Sequence, residues 1–254
     1  MSTHALLDRH RYLETLRTEA DRLVHAALQA RHDRPVPWCP GLALGETVRH
    51  VGSIYRVVYC WLTHGARPRD WVDEPADGES VEDYLRAALD ELFPALAATE
   101  AGVPADTWWP EDCTYGFWQR RMAHETTVHR VDVQSAAGVP VTEIPEDIAI
   151  DGIDEVLRLW FGHRLTLLGV TGTRQGSVVL HAGKHAWFAH ADRTQTEVRR
   201  VTADEVSLAD GHVRGAPMQV YLWLWGRAPT SAVTTEGDDD AIAQLWALLR
   251  LATR

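Results

Sequence analysis

The stretch Arg-Met-Ala-His-Glu-Thr-Thr-Val-His-Arg-Val-Asp, residues 121–132, holds the residues that best indicate how this chain folds and what it binds. Residues four apart lie one above the other on an α-helix, so Glu125 and His129 share a face. Apolar residues such as Val128 belong to the same inward side of a helix predicted at about 115–136. A buried lone carboxylate is costly unless it is paired or bound to a metal. The stretch therefore predicts a buried helix that carries either an ion pair or a metal site.

A third candidate ligand lies in Glu-Thr-Val-Arg-His-Val-Gly, residues 46–52. In a helix, His50 follows the same apolar stripe as Ile54 and therefore faces inward. Two imidazoles and one carboxylate form a ligand set that catalytic zinc uses while one coordination position stays open. If the two helices are neighbours, His50 can complete this set with Glu125 and His129. The alternatives remain a hydrogen-bonded or solvated pair on one helix and a core or cap histidine on the other.

Two other polar residues of the 121–132 stretch have different expected roles. His124 lies five residues before His129, which places it about 140° away around an ideal helix. The order His-Glu-x-x-x-His also differs from the His-Glu-x-x-His pattern of zinc proteases, so His124 is not expected to bind a metal. Asp132, three residues after His129, lies within reach of its ring and can orient it.

The chain has 254 residues, which allows two domains of ordinary size. Four amphipathic helices with moderate connections describe a helix bundle; they are predicted from Ser2 or Thr3 to about Ala30, then at about 43–63, 80–100 and 115–136. The rest of the chain has mixed character, with helices predicted at about 146–163, from Pro217 and over 239–252. Strands are predicted at about 177–181, 186–190 and 196–201, with 205–208 as a candidate fourth. Gly183 and Lys184 form the expected hairpin turn, and Asp210-Gly211 a further turn. We predict a mainly helical α+β fold, with the bundle in residues 1–165 and a smaller α+β domain in residues 166–254.

Composition excludes several classes of partner. A formal net charge of −11 argues against binding to nucleic acid or anionic lipid. Three widely spaced cysteines build neither a disulfide framework nor a Cys-x-x-Cys zinc site, and Cys39 and Cys60 lack a supporting His-Asp arrangement, so both are interpreted as inert. The first residues are charged throughout, and no apolar stretch approaches the roughly 18 residues of a membrane span. We expect a cytoplasmic protein with small-molecule partners.

Several motifs occur together along the chain: Trp38-Cys39-Pro40-Gly41, then His50, then Arg121-x-x-His124-Glu125-x-x-x-His129-Arg130-x-Asp132, and finally Trp223-Leu224-Trp225-Gly226-Arg227. This arrangement resembles the mycothiol-dependent maleylpyruvate isomerase family, which belongs to the larger DinB-like group of metal-binding four-helix bundles. The resemblance covers essentially the whole chain. It implies that His50, Glu125 and His129 bind a divalent metal, for which Zn²⁺ is the first candidate. It also implies that mycothiol is the thiol cosubstrate. One departure is Leu42, because the family tends to have tryptophan after Pro-Gly. This difference concerns the wall of the site on the substrate side.

The resemblance also implies an activity. In the family, the mycothiol thiolate adds to the double bond of a cis enedione acid, the bond rotates, and the thiol leaves, which converts maleylpyruvate to fumarylpyruvate. Arg227 is the family-type candidate for the cation that binds the carboxylates, and Arg214 is a weaker one; either arginine could instead form a salt bridge. The alternatives are a mycothiol S-transferase acting on a small electrophile and a non-catalytic metal- or ligand-binding protein.

Overall fold

The structure is a computed structural model that describes residues 6–65, 67–68, 74–202 and 209–253. The possible strand at 205–208 and the predicted helix start at Ser2 or Thr3 lie outside these residues. The first helix that the structure shows begins later, at Arg9, because the Asp8 side chain accepts a hydrogen bond from the backbone N–H of Arg11 and caps it there. None of the described helices is long and apolar enough to cross a membrane.

The first compact unit, Met1–Thr142, is a four-helix bundle, as predicted. Its helices are α1 (Arg9–Ala27), α2 (Leu44–His64), α3 (Val81–Ala98) and α4 (Tyr115–Ala137). Helix α1 packs mainly against α4, and α2 packs against both α3 and α4. Because α4 has neighbours on two sides, most of its residues are buried, including polar ones.

Local signals fix the ends of α3 and α4 close to the predicted positions. The Ser80 hydroxyl accepts from the backbone N–H of Asp83 at 3.1 Å and starts α3. The Thr114 hydroxyl caps α4 in the same way. Helix α4 ends at Gly138, whose φ of +72° favours a residue without a Cβ atom. The caps set where α4 begins and ends, and between them α4 packs against α1 and α2.

The second compact unit, Glu143–Arg254, combines a five-stranded sheet with helices. It begins with α5 (Glu146–Glu155), a π-helical segment (Val156–Arg164) and α6 (Leu165–Leu168). The strands are β1 (Gly176–Ala182), β2 (His185–Ala191), β3 (Thr196–Arg200), β4 (Gly211–Gly215) and β5 (Thr234–Gly237), with α7 (Pro217–Leu224) and α8 (Asp239–Ala252). The strand order is β3-β2-β1-β4-β5, and only the β1–β4 pair is parallel. The mainly helical α+β class is confirmed.

Two strands were not predicted, and both are rich in glycine or threonine. Gly211, expected in a turn, instead begins β4 and pairs with Gly237 of β5. A Cβ atom at Gly211 would meet the Ile242 side chain of α8 at 3.0 Å, so the close approach of α8 explains the glycine. Such strands carry little apolar alternation, and the sequence pattern therefore misses them.

The division into compact units falls between Thr142 and Glu143, earlier than the predicted boundary after residue 165. Residues 143–165 belong to the second unit because they form hydrogen bonds with the sheet. The Asp154 carboxylate of α5 accepts hydrogen bonds from Trp187 Nε1 at 2.9 Å and Arg200 Nε at 2.8 Å. The helical periodicity of residues 146–163 does not specify the neighbour against which they pack.

Candidate metal centre

Three side chains from two helices converge in the first unit. The Oε1 atom of Glu125 lies 3.3 Å from Nε2 of His50 and 3.2 Å from Nε2 of His129. One potential ligand atom from each residue lies within 4.8 Å of the others. Two atoms that bind one zinc ion at tetrahedral angles are about 3.3 Å apart, given metal–ligand distances of about 2.0–2.1 Å. The group therefore has the spacing of a site that could hold one cation.

The helix geometry explains this convergence. Glu125 and His129 are one helical turn apart on α4, and His50 faces them from the first third of α2, which packs against α4. The imidazole rings of His50 and His129 lie 5.0 Å apart at 74° to each other, so their nitrogens approach the same space from different directions. Among the residues that the structure describes, these three form the only such group of three or more potential ligands.

Neighbouring charges set the protonation of the cluster. Burial raises the pKa of Glu125, but the His129 charge and hydrogen bond, the His50 hydrogen bond and the Arg121 charge outweigh it and hold that pKa well below its ordinary value. Burial lowers the pKa of His129, but Glu125 and Asp132 outweigh it and raise the pKa to about 9. Without a cation, the two form an ion pair at neutral pH. A metal would replace the proton on His129, because only unprotonated imidazole binds metal.

Two neighbours of the ligands lie deeper than the ligands themselves. Arg121 donates from Nη2 to Oε2 of Glu125 at 2.7 Å, and its side chain is 4% exposed. Asp132, 1% exposed, accepts from Nδ1 of His129 at 3.1 Å, the contact expected from its spacing. The side chain of His50 is 35% exposed, so small molecules can reach the cluster from this side. The donor set and its open side fit a metal such as zinc with a free coordination position.

Two residues near the site were not assigned to it from the sequence. Arg121 lies four residues before Glu125, a spacing that could have revealed the contact. Cys39, interpreted as inert, places Sγ 3.9 Å from Oδ2 of Asp132. This loop contact joins positions far apart in the chain, and no spacing rule reports it.

Other candidate residues lie apart from this cluster or in the other unit. His124, which was excluded as a ligand, is fully buried, and its ring faces that of Tyr12 at 6.4 Å. Arg227 belongs to the second unit, where it is buried and donates from Nη1 to the Trp225 carbonyl at 2.7 Å. Arg214 lies exposed on β4. The role of either arginine in binding substrate carboxylates stays a prediction.

The fold and the cluster define a four-helix-bundle protein with a second α+β unit and a candidate two-histidine, one-carboxylate site. Residues 13–134 match the family described as the mycothiol maleylpyruvate isomerase N-terminal domain. This match covers most of the bundle and confirms the resemblance found in the sequence.

Solved structures support the same fold. The chain is similar to the crystal structure of a mycothiol-dependent maleylpyruvate isomerase, with 13% identity and a TM-score of 0.60 over 91% of this chain and 95% of that chain. A histidine-to-alanine mutant of such an isomerase gives 14% identity and a TM-score of 0.62 with the same coverage. At this identity the likeness shows the fold alone. No curated protein sequence matches the chain.

Proposed function

We propose that this protein is a mycothiol-dependent, metal-activated thiol enzyme, a cis-trans isomerase of the maleylpyruvate isomerase type. The observation that carries the proposal is the convergence of His50, Glu125 and His129 inside the segment that matches that family. A reduced low-molecular-weight thiol as cosubstrate agrees with a cytoplasmic location.

The chain's own residues supply binding and orientation. His50, Glu125 and His129 would hold the cation, and Asp132 keeps the His129 ring oriented through Nδ1. A divalent cation with an open position, when bound, supplies the positive charge that keeps a thiol deprotonated near neutral pH. The exposed side of His50 provides the approach for the thiol. The Arg227 guanidinium is the proposed partner of the substrate carboxylates.

The reaction needs no net consumption of thiol. The sulfur of the thiolate forms a bond to one carbon of the cis double bond, and the electron pair of that double bond moves toward the adjacent carbonyl group. The former double bond then rotates as a single bond. When the carbon–sulfur bond breaks, the electron pair restores the double bond in the trans form, and the thiolate is released.

The first prediction concerns thiol dependence. We expect the zinc-loaded protein to convert maleylpyruvate to fumarylpyruvate only when mycothiol is present, because the thiolate is the nucleophile. Ultraviolet absorbance follows the conversion, and free thiol is counted before and after the reaction. An unchanged thiol count with turnover supports the isomerase, whereas loss of one thiol per product identifies an S-transferase. Metal binding without thiol-dependent turnover across a panel of electrophiles would indicate a binding protein.

A second prediction concerns Arg227. We expect Arg227→Met to lower kcat/KM for maleylpyruvate about 10–100-fold, since a hydrogen bond to a charged group contributes about 1.5–3 kcal/mol. Zinc stoichiometry should stay unchanged, because the metal ligands are untouched. Arg214→Met is the matched control. An equal loss in both variants, or a loss of bound zinc in Arg227→Met, would remove the assignment.

A further inference from the structure

Helix α4 carries one continuous line of hydrogen-bonded polar side chains. Arg121, Glu125, His129 and Asp132 follow one another at spacings of four, four and three residues, so they occupy a single stripe. Arg121 contacts Glu125 at 2.7 Å, Glu125 contacts His129 at 3.2 Å, and His129 contacts Asp132 at 3.1 Å. The two ends of the line, Arg121 and Asp132, are the most buried members. They are therefore anchored in the bundle, while the central pair faces His50.

The two carboxylate oxygens of Glu125 have different partners. Oε1 is the atom that faces both imidazole nitrogens, at 3.3 Å from His50 and 3.2 Å from His129. Oε2 accepts the charge-assisted hydrogen bond from Arg121. A carboxylate can bind a cation through one oxygen or through both. With Oε2 held by a buried guanidinium, only Oε1 is directed at the position that a cation would take.

The structure assigns to Arg121 the role of a positioning residue that keeps Glu125 a one-oxygen metal ligand and so preserves the coordination position for the thiol. This inference rests on the proposed function. If Oε2 were released, it could become a further ligand and compete with sulfur for the open side of the ion.

The charge balance supports the same assignment. The carboxylates of Glu125 and Asp132 together balance the charge of a divalent cation. The Arg121 guanidinium then leaves the cluster with one positive charge, which a single thiolate neutralises. Replacing Arg121 with a neutral residue would remove this preference for one anionic ligand, because the remaining charges already cancel.

The test compares Arg121→Met with Arg121→Lys, which keeps a charged donor for Oε2. Zinc X-ray absorption reports the combined number of nitrogen and oxygen ligands, so a second bound carboxylate oxygen raises that number by one. In the cobalt-substituted protein the sulfur-to-metal absorption band reports mycothiol binding. Neither readout needs turnover. We expect Arg121→Met to retain zinc, to gain one oxygen ligand and to bind mycothiol about 10–100-fold more weakly. Arg121→Lys should resemble the wild type. Arg120→Met, at a neighbouring buried arginine on α4, controls for the loss of a buried cation.

The outcomes separate this inference from the proposed function. A wild-type protein that binds no zinc overturns the proposed function itself. A zinc-loaded wild type in which both Glu125 oxygens bind the ion overturns the role of Arg121 and leaves the proposed function standing. The same conclusion follows if Arg121→Met matches the wild type in oxygen count and mycothiol affinity. If Arg121→Met does not fold, the wild-type oxygen count and Arg121→Lys decide the question.

Discussion

Glu125→Ala is expected to lower the affinity of the protein for zinc by at least about 100-fold and to abolish thiol-dependent turnover. A structural zinc site contributes about 10 kcal/mol or more, and loss of one of three protein ligands removes roughly a third of the lower figure. About 3 kcal/mol corresponds to roughly a 100-fold change in affinity. His50→Ala and His129→Ala should behave in the same way, because each removes one ligand of the same ion.

Competition with a chromophoric chelator measures the zinc affinity of each variant. Thermal unfolding gives an independent readout, since a ligand at 100 times its Kd stabilises the folded protein by about 2.7 kcal/mol. The wild type should gain this stability with zinc, and Glu125→Ala should not. His124→Gln is the matched control, because His124 adjoins Glu125 on α4 and is buried away from the cluster. Equal zinc affinity in the wild type and in Glu125→Ala would show that no cation binds at these residues.

The central residues of the site could be predicted from the sequence, because the spacing of residues along a helix is a local property. Glu125 and His129 share a turn of one helix, and the inward stripe of His50 follows from the period of its own helix. Their convergence depends on which helices pack together. The expectation that the second and fourth helices are neighbours came from the family resemblance. The fold class and the four helices of the bundle followed from the same periodicity and from caps such as Ser80.

The remaining features depend on contacts between distant positions. Cys39 approaches Asp132 only because the loop before α2 folds toward α4. Strand β4 pairs with β1 and with β5, which a short glycine-containing run such as 211–215 does not signal. The split use of the two Glu125 oxygens depends on side-chain conformation, which residue spacing does not determine.

A second large effect is expected from the ion pair that joins α4 to α1. Arg130 is fully buried and donates from Nε to Oε2 of Glu19 at 2.6 Å. Its Nη1 donates to Oε1 of Gln134 at 2.9 Å and to the Thr142 carbonyl at 2.7 Å. We expect Arg130→Met to destabilise the bundle by about 3–5 kcal/mol, because it leaves the Glu19 carboxylate, 3% exposed, without its buried partner.

Hydrogen exchange of the α1 and α4 amides measures this change in the bundle itself, because local opening free energies are read segment by segment. Arg22→Met is the matched control, since Arg22 also binds Glu19, at 2.7 Å, but is 38% exposed and should contribute about 0–1 kcal/mol. A second substitution, Glu19→Gln, should recover part of the loss in Arg130→Met, because it removes a buried charge whose remaining partner is the more exposed Arg22. Equal effects of Arg130→Met and Arg22→Met would contradict the assignment. Arg130 follows His129 directly, so the ion pair that joins α1 to α4 also limits how far His129 can shift relative to α1.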